Sequence, residues 1–148
     1  MVAITVILAA VIAAFVFGLG SPETAPQASI KDSGTSVSVS GTDYNVIKLE
    51  HQGGDPITFT SPNTKVTVGP NTVNASDLSG DEDLYTFEVG DTLYIYNASG
   101  DFKLGTLTNV TTTSPAADDD LVSSGESSDL KIIDVPTQQM IRDTTVRF

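Results

Sequence analysis

The chain has 148 residues, seven basic against nineteen acidic, a formal net charge of −12 and no cysteine. Beyond its first twenty residues it is long enough for one domain with one core. An acidic surface repels phosphates, which excludes nucleic acid as a partner. The missing cysteines exclude disulfides, a thiol nucleophile and thiolate metal sites.

The first predicted element is the run MVAITVILAAVIAAFVFGLG, residues 1–20, which carries no charge. A cleaved secretory signal would open on positive residues and end its apolar core sooner, whereas the first cation here is Lys31. As a helix the run would be about 30 Å long, roughly one hydrocarbon thickness, which predicts a membrane anchor. Ala10, Ala14 and Gly18 fall at i, i+4 and i+8, one above another, and Ala9 and Ala13 widen the stripe. Small residues at that spacing let helix backbones approach closely, although single-pass anchors also contain such patterns.

Met1 to Gly18 resembles the N-terminal helix of archaeal type IV pilins. In that family further residues and a charged leader lie ahead of this helix, and a dedicated peptidase removes the leader. The sequence here starts at the helix itself. The resemblance implies a subunit held in the membrane by its helix before assembly, then polymerised by assembly machinery. The helices bundle as the core of an extracellular filament on the cell surface.

Residues 21–29 contain Pro22 and Pro26 among small polar residues. Proline interrupts a helix and extends the residue before it, so this segment is expected to be a stalk between helix and head.

From residue 30 to 148 short β-branched or alternating runs recur, separated by Gly, Pro, Asn and Asp. Strands are predicted at 35–40, 44–51, 57–61, 65–68, 84–89, 92–97, 102–109, 130–135 and 140–148. Ile47 and Leu49 share one face while Lys48 and Glu50 share the other; Leu93 and Ile95 likewise oppose Tyr94 and Tyr96. The predicted fold class is therefore α+β: a long hydrophobic N-terminal helix followed by an all-β, immunoglobulin-like sandwich head. A small closed barrel is the alternative. Periodicity does not reveal strand order or sheet partition.

Gly53-Gly54-Asp55-Pro56 reads as a turn. With His51 it forms a His-x-Gly-Gly-Asp stretch that resembles one in archaeal pilin heads. The run from Phe87 to Leu93, with Gly90-Asp91 inside it, resembles the Gly-Asp strand start that follows there. These likenesses and the helix together extend to about Asn109.

Candidates for chemistry are few. His51 is the sole histidine, and a lone His beside Asp55 makes a poor transition-metal site. No serine lies in a glycine elbow that would make it a nucleophile. His51, Gly53, Gly54, Asp55 and Pro56 are therefore read as a structural turn, with no catalytic residue, metal or cofactor expected. Asp81-Glu82-Asp83 and Asp118-Asp119-Asp120 read as solvated acidic loops, with calcium between subunits the alternative. Asn74, Asn97 and Asn109 each open an Asn-x-Ser/Thr acceptor for glycans. Residues 111–129 are low in complexity and expected to be a long exposed loop.

These features predict no enzyme but a homopolymeric structural protein, a pilus-like filament subunit serving adhesion. An archaellum-type motility filament shares the plan. A single-pass anchored binding head that never polymerises, and a surface enzyme joining His51, Asp55 and an acidic loop, are rivals from other classes.

Overall fold

The structure, a computed structural model, describes residues 1–20, 23–60, 62–75, 86–112 and 120–148. Helix α1 spans Val2–Gly18. Its residues are strong helix formers mixed with β-branched ones, and no glycine interrupts it before its end. Strands β1 (Ala28–Val39), β2 (Thr42–Gly54), β3 (Ile57–Thr58), β4 (Thr64–Val68), β5 (Asn71–Val73), β6 (Thr86–Phe87), β7 (Thr92–Ala98) and β8 (Asp101–Gly105) follow. A short helix α2 (Leu107–Thr112) then leads to β9 (Ser127–Asp134) and β10 (Gln139–Arg147). The head is thus an antiparallel β-sandwich behind an N-terminal helix, as its alternating runs predicted.

One sheet has the order β1-β2-β7-β8 and the other β10-β9-β4-β5, with β3 and β6 forming a small third pair. The core lies between the two large sheets. Ile47, Leu49, Leu93, Ile95 and Leu104 from the first meet Val66, Val68, Leu130 and Ile132 from the second. Their alternation along each strand is what turns them to one side.

Both open sides of the sandwich are tied. On one, Asn74 after β5 bonds to β8: its N–H donates to the Phe102 carbonyl at 2.7 Å, and its carbonyl accepts from Leu104 N–H at 2.8 Å. On the other, β1 lies against β10. A Cβ on Gly34 would run into the Arg147 carbonyl oxygen, so only glycine allows this approach. A bulge between Met140 and Arg142 re-aims β10. Arg142 then reaches Asp32 on β1. Edges closed in this way offer little to a foreign strand.

Three features depart from the periodicity. The strand expected at 102–109 stops at Gly105, and Leu107–Thr112 is helical. Thr106 and Asn109 cap it reciprocally: Asn109 Oδ1 accepts from Thr106 N–H at 3.0 Å, and Thr106 Oγ1 from Asn109 N–H at 3.5 Å. Val110 is thereby set onto the outer face of the first sheet, over Val46, Tyr96 and Ala98. Second, β5 is an extra strand, three residues long. Third, Leu121, within the low-complexity segment, is buried in the main core. Asn45 holds it there, accepting from Leu121 N–H at 3.1 Å and donating from its own N–H to Asp120 Oδ1 at 2.7 Å.

Candidate assembly site

Every residue of α1 is exposed, and none is buried against the described residues of the head. Val6, Ile7, Phe15 and Val16 are each more than 60% exposed, on all sides of the helix. A helix that is apolar all round has its partner in an assembly or in lipid. Thr5 carries the helix's hydroxyl, and its Oγ1 donates back to the Val2 carbonyl at 2.7 Å. No side-chain polar group of α1 is therefore left to demand water. Ala9, Ala10, Ala13, Ala14 and Gly18 lie on this bare surface, and a Cβ at Gly18 would meet nothing within 4 Å. Among the described residues no helix is long and apolar enough to cross a membrane. At 17 residues α1 is about 25 Å long, short of a hydrocarbon core of about 30 Å.

The chain enters the head through a clasp. Ala25, midway along the expected stalk, is buried. Gln27 N–H donates to Asp55 Oδ2 at 3.0 Å, and Asp55 N–H returns a bond to the Gln27 carbonyl at 2.9 Å. Gly54 makes this possible. Its φ is +97°, and a Cβ there would strike the Gln27 carbonyl oxygen. Gly53 has open space around it and remains in β2.

His51 joins the clasp to the following strands. Its N–H donates to the Asp91 carbonyl at 3.1 Å, and its carbonyl accepts from Gly90 N–H at 2.9 Å. Asp91 Oδ2 in turn accepts from Glu88 N–H at 3.0 Å. The His51 ring stands edge-on to Phe87, centroids 5.1 Å apart. Its Nε2 lies 2.9 Å from the Asp55 main-chain carbonyl, which can only accept, so Nε2 carries the hydrogen. The two stretches quoted for their likeness to pilin heads, around His51 and around Gly90-Asp91, thus meet in space.

This geometry is mechanical. The Asp55 carboxylate faces the stalk backbone, so His51 and Asp55 do not form an acid–base pair. His51 is 2% exposed, out of a substrate's reach. Among the described residues no three His, Asp or Glu side chains are placed to hold a metal ion. Asp81, Glu82, Asp83, Asp118 and Asp119 lie outside the described residues. Further along β2, Lys48 donates to Glu50 at 2.6 Å. That bond holds the Glu50 carboxyl below its usual range and the Lys48 ammonium above its own. Both are solvent-facing, so the pair adds little stability.

The acceptor asparagines fall in three settings. Asn74 is exposed beside β8, Asn97 is half-buried at the end of β7, and Asn109 is the half-buried cap partner of α2. The α2 signal was present in the sequence as Thr106-x-x-Asn109, a variant of the capping box.

An unpartnered apolar helix clasped to a β head defines a protein whose helix is completed by something outside the chain. Residues 1–30 match the family described as archaeal type IV pilin, N-terminal. A protein of Archaeoglobus fulgidus, described as uncharacterized, is 37% identical over 119 residues, covering 78% of this chain and 79% of that one. No solved structure matches. Residues 1–30 are thus an archaeal type IV pilin N-terminal segment, which makes the chain similar to a type IV pilin subunit. Proteins of that family are structural subunits of surface filaments.

Proposed function

We propose that the chain is the structural subunit of an archaeal type IV pilus-like filament, polymerising with copies of itself through α1 and serving adhesion. One observation carries this reading: a 17-residue helix, apolar on every side, that none of the described residues of its own chain buries. Packing many such helices along one axis covers all of them, with the acidic heads outward. The stripe of Ala9, Ala10, Ala13, Ala14 and Gly18 is where neighbouring backbones come closest. Before assembly the same helix holds the subunit in the membrane. A helix a few Å short of the hydrocarbon thickness is accommodated by local thinning at modest cost. A leader peptidase and pilus machinery act at that stage, and the head carries glycans. The clasp through His51, Gly54 and Asp55 fixes where the stalk leaves the head, which keeps successive heads in register.

Electron microscopy of sheared cell-surface material, with mass spectrometry of the same fraction, tests the reading. Thin filaments built from this chain are expected. A chain that stays with the membrane and enters no filament would overturn it, and would favour an anchored binding head. Helical reconstruction, with adhesion and swimming assays of a deletion strain, would separate an adhesive filament from a rotary one.

A further inference from the structure

A chain of net charge −12 that stacks on copies of itself must set opposite charges where the heads touch, or the heads repel. The sheet β10-β9-β4-β5 carries one feature of each sign at its two ends. β10 runs alongside β1 away from the stalk, from Arg142 beside Asp32 to Arg147 beside Gly34. Ser127, the partner of Arg147, therefore stands at the far end, and Ile133, the partner of Met140, near the stalk.

At the far end an open cavity of about 350 Å³ lies between the β4–β5 turn, β8 and the segment that precedes β9. Val68, Phe102, Leu121 and Val122 supply its apolar lining, and Asp120 and Glu126 its charges; no lysine or arginine lines it. Asp120 is already held, since its Oδ1 accepts from Asn45 N–H at 2.7 Å. The main chain of Glu126 is fixed, its N–H donating to the Ser123 carbonyl and its carbonyl accepting from Phe148 N–H. Its carboxylate is exposed and has no ion pair among the described residues.

Lys65 is the matching feature. It is exposed on β4 opposite Ile133, which in turn pairs with exposed Met140. Residues paired in this way share a face, so the ammonium rises from an apolar surface at the stalk end. Among the described residues it has no ion pair. Arg147 is also unpaired, but it stands at the cavity's own end, opposite Ser127. Stacking end to end brings Lys65, and not Arg147, to the cavity of the next copy. A lysine stem lies along apolar lining while its head reaches a carboxylate. Two different patches that fit each other make a head-to-tail contact, and such contacts repeat into an open helix.

We infer that Lys65 of one head enters the Glu126 cavity of the next copy, so that the heads lock along the filament as well as the helices. The inference rests on the assembly proposed above and names a contact between heads within it.

Zero-length carbodiimide cross-linking of native filaments, read by mass spectrometry, is the first test, because it joins an amine to a carboxylate only where the two touch. A peptide holding Lys65 joined to one holding Glu126 is expected. Such a link cannot close within one head: from Ser127 to Ile133, beside Lys65, β9 spans about 20 Å. Charge reversal is the second test. Glu126→Lys and Lys65→Glu should each lower filament yield about fivefold, and the double variant should recover most of it. Head melting should keep the wild-type midpoint, since both side chains are exposed. Should a reversal unfold the head, Glu126→Gln and Lys65→Met remove the charges at similar size and should lower the yield in the same direction. Wild-type filaments in which Lys65 and Glu126 never link, single variants at wild-type yield, or a double variant no better than either single would overturn the contact and leave helix-driven assembly standing. A wild-type chain that enters no filament would overturn assembly and the contact together.

Discussion

Arg142 of β10 grips a single oxygen of Asp32 on β1, Nη2 at 2.6 Å and Nε at 2.8 Å from Oδ1. The residues are 110 positions apart and belong to different sheets. The Asp32 side chain is 7% exposed, and the Arg142 guanidinium is its charged partner. Removing the guanidinium strands a largely buried carboxylate, which is costly, although Arg142 itself is partly solvated and softens the loss. Arg142→Ala should destabilise the head by about 1–3 kcal/mol. Urea unfolding measures it; an unchanged midpoint would remove this side of the sandwich from any role in stability.

Neighbouring glycines of the clasp should behave in opposite ways. Gly54→Ala places a methyl group against the Gln27 carbonyl at a φ of +97°. A loss of about 1–3 kcal/mol follows from the clash and the strained backbone. Gly53→Ala enters open space in extended backbone. It should stay within about 0.5 kcal/mol of the parent. Equal losses at both positions would show that the motif acts through something other than the approach of the stalk.

Leu121 tests whether the low-complexity segment belongs to the core. It is 5% exposed and lies among the main hydrophobic cluster. Leu121→Ala should cost about 2–5 kcal/mol by thermal or urea melting, as for other buried leucines. A change near zero would mean that the segment only rests on the head.

Ala14→Leu and Gly18→Leu address the helix. Overfilling a close backbone contact costs about 1–3 kcal/mol. That is roughly five- to 150-fold in an association constant. Filament yield should fall by such a factor while membrane insertion continues. No residue of α1 is buried against the head, so head melting should not move. Wild-type filament yield from both variants would remove close helix packing from this face.

The helix and most strands were legible because their signals are local. An uncharged apolar run needs no partner to be recognised, and a period of two shows which of Ile47 and Lys48 turns inward. α2 was hidden because its six residues, rich in threonine and valine-like in propensity, read as strand. Packing of Val110 on Val46 and Tyr96, with the cap between Thr106 and Asn109, outweighs that preference. Leu121 was hidden because one apolar residue among Asp, Ser and Thr carries no period.

By itself the sequence determined that a bare apolar helix precedes an acidic β head, since hydrophobic run and strand alternation are written residue by residue. Tertiary structure alone decided that His51 meets Asp91, that Asp32 meets Arg142, and that Asn74 is exposed while Asn97 and Asn109 are half-buried. Each of these depends on which distant strands pair and in what register, and a register is set only when both partners have folded against the same core.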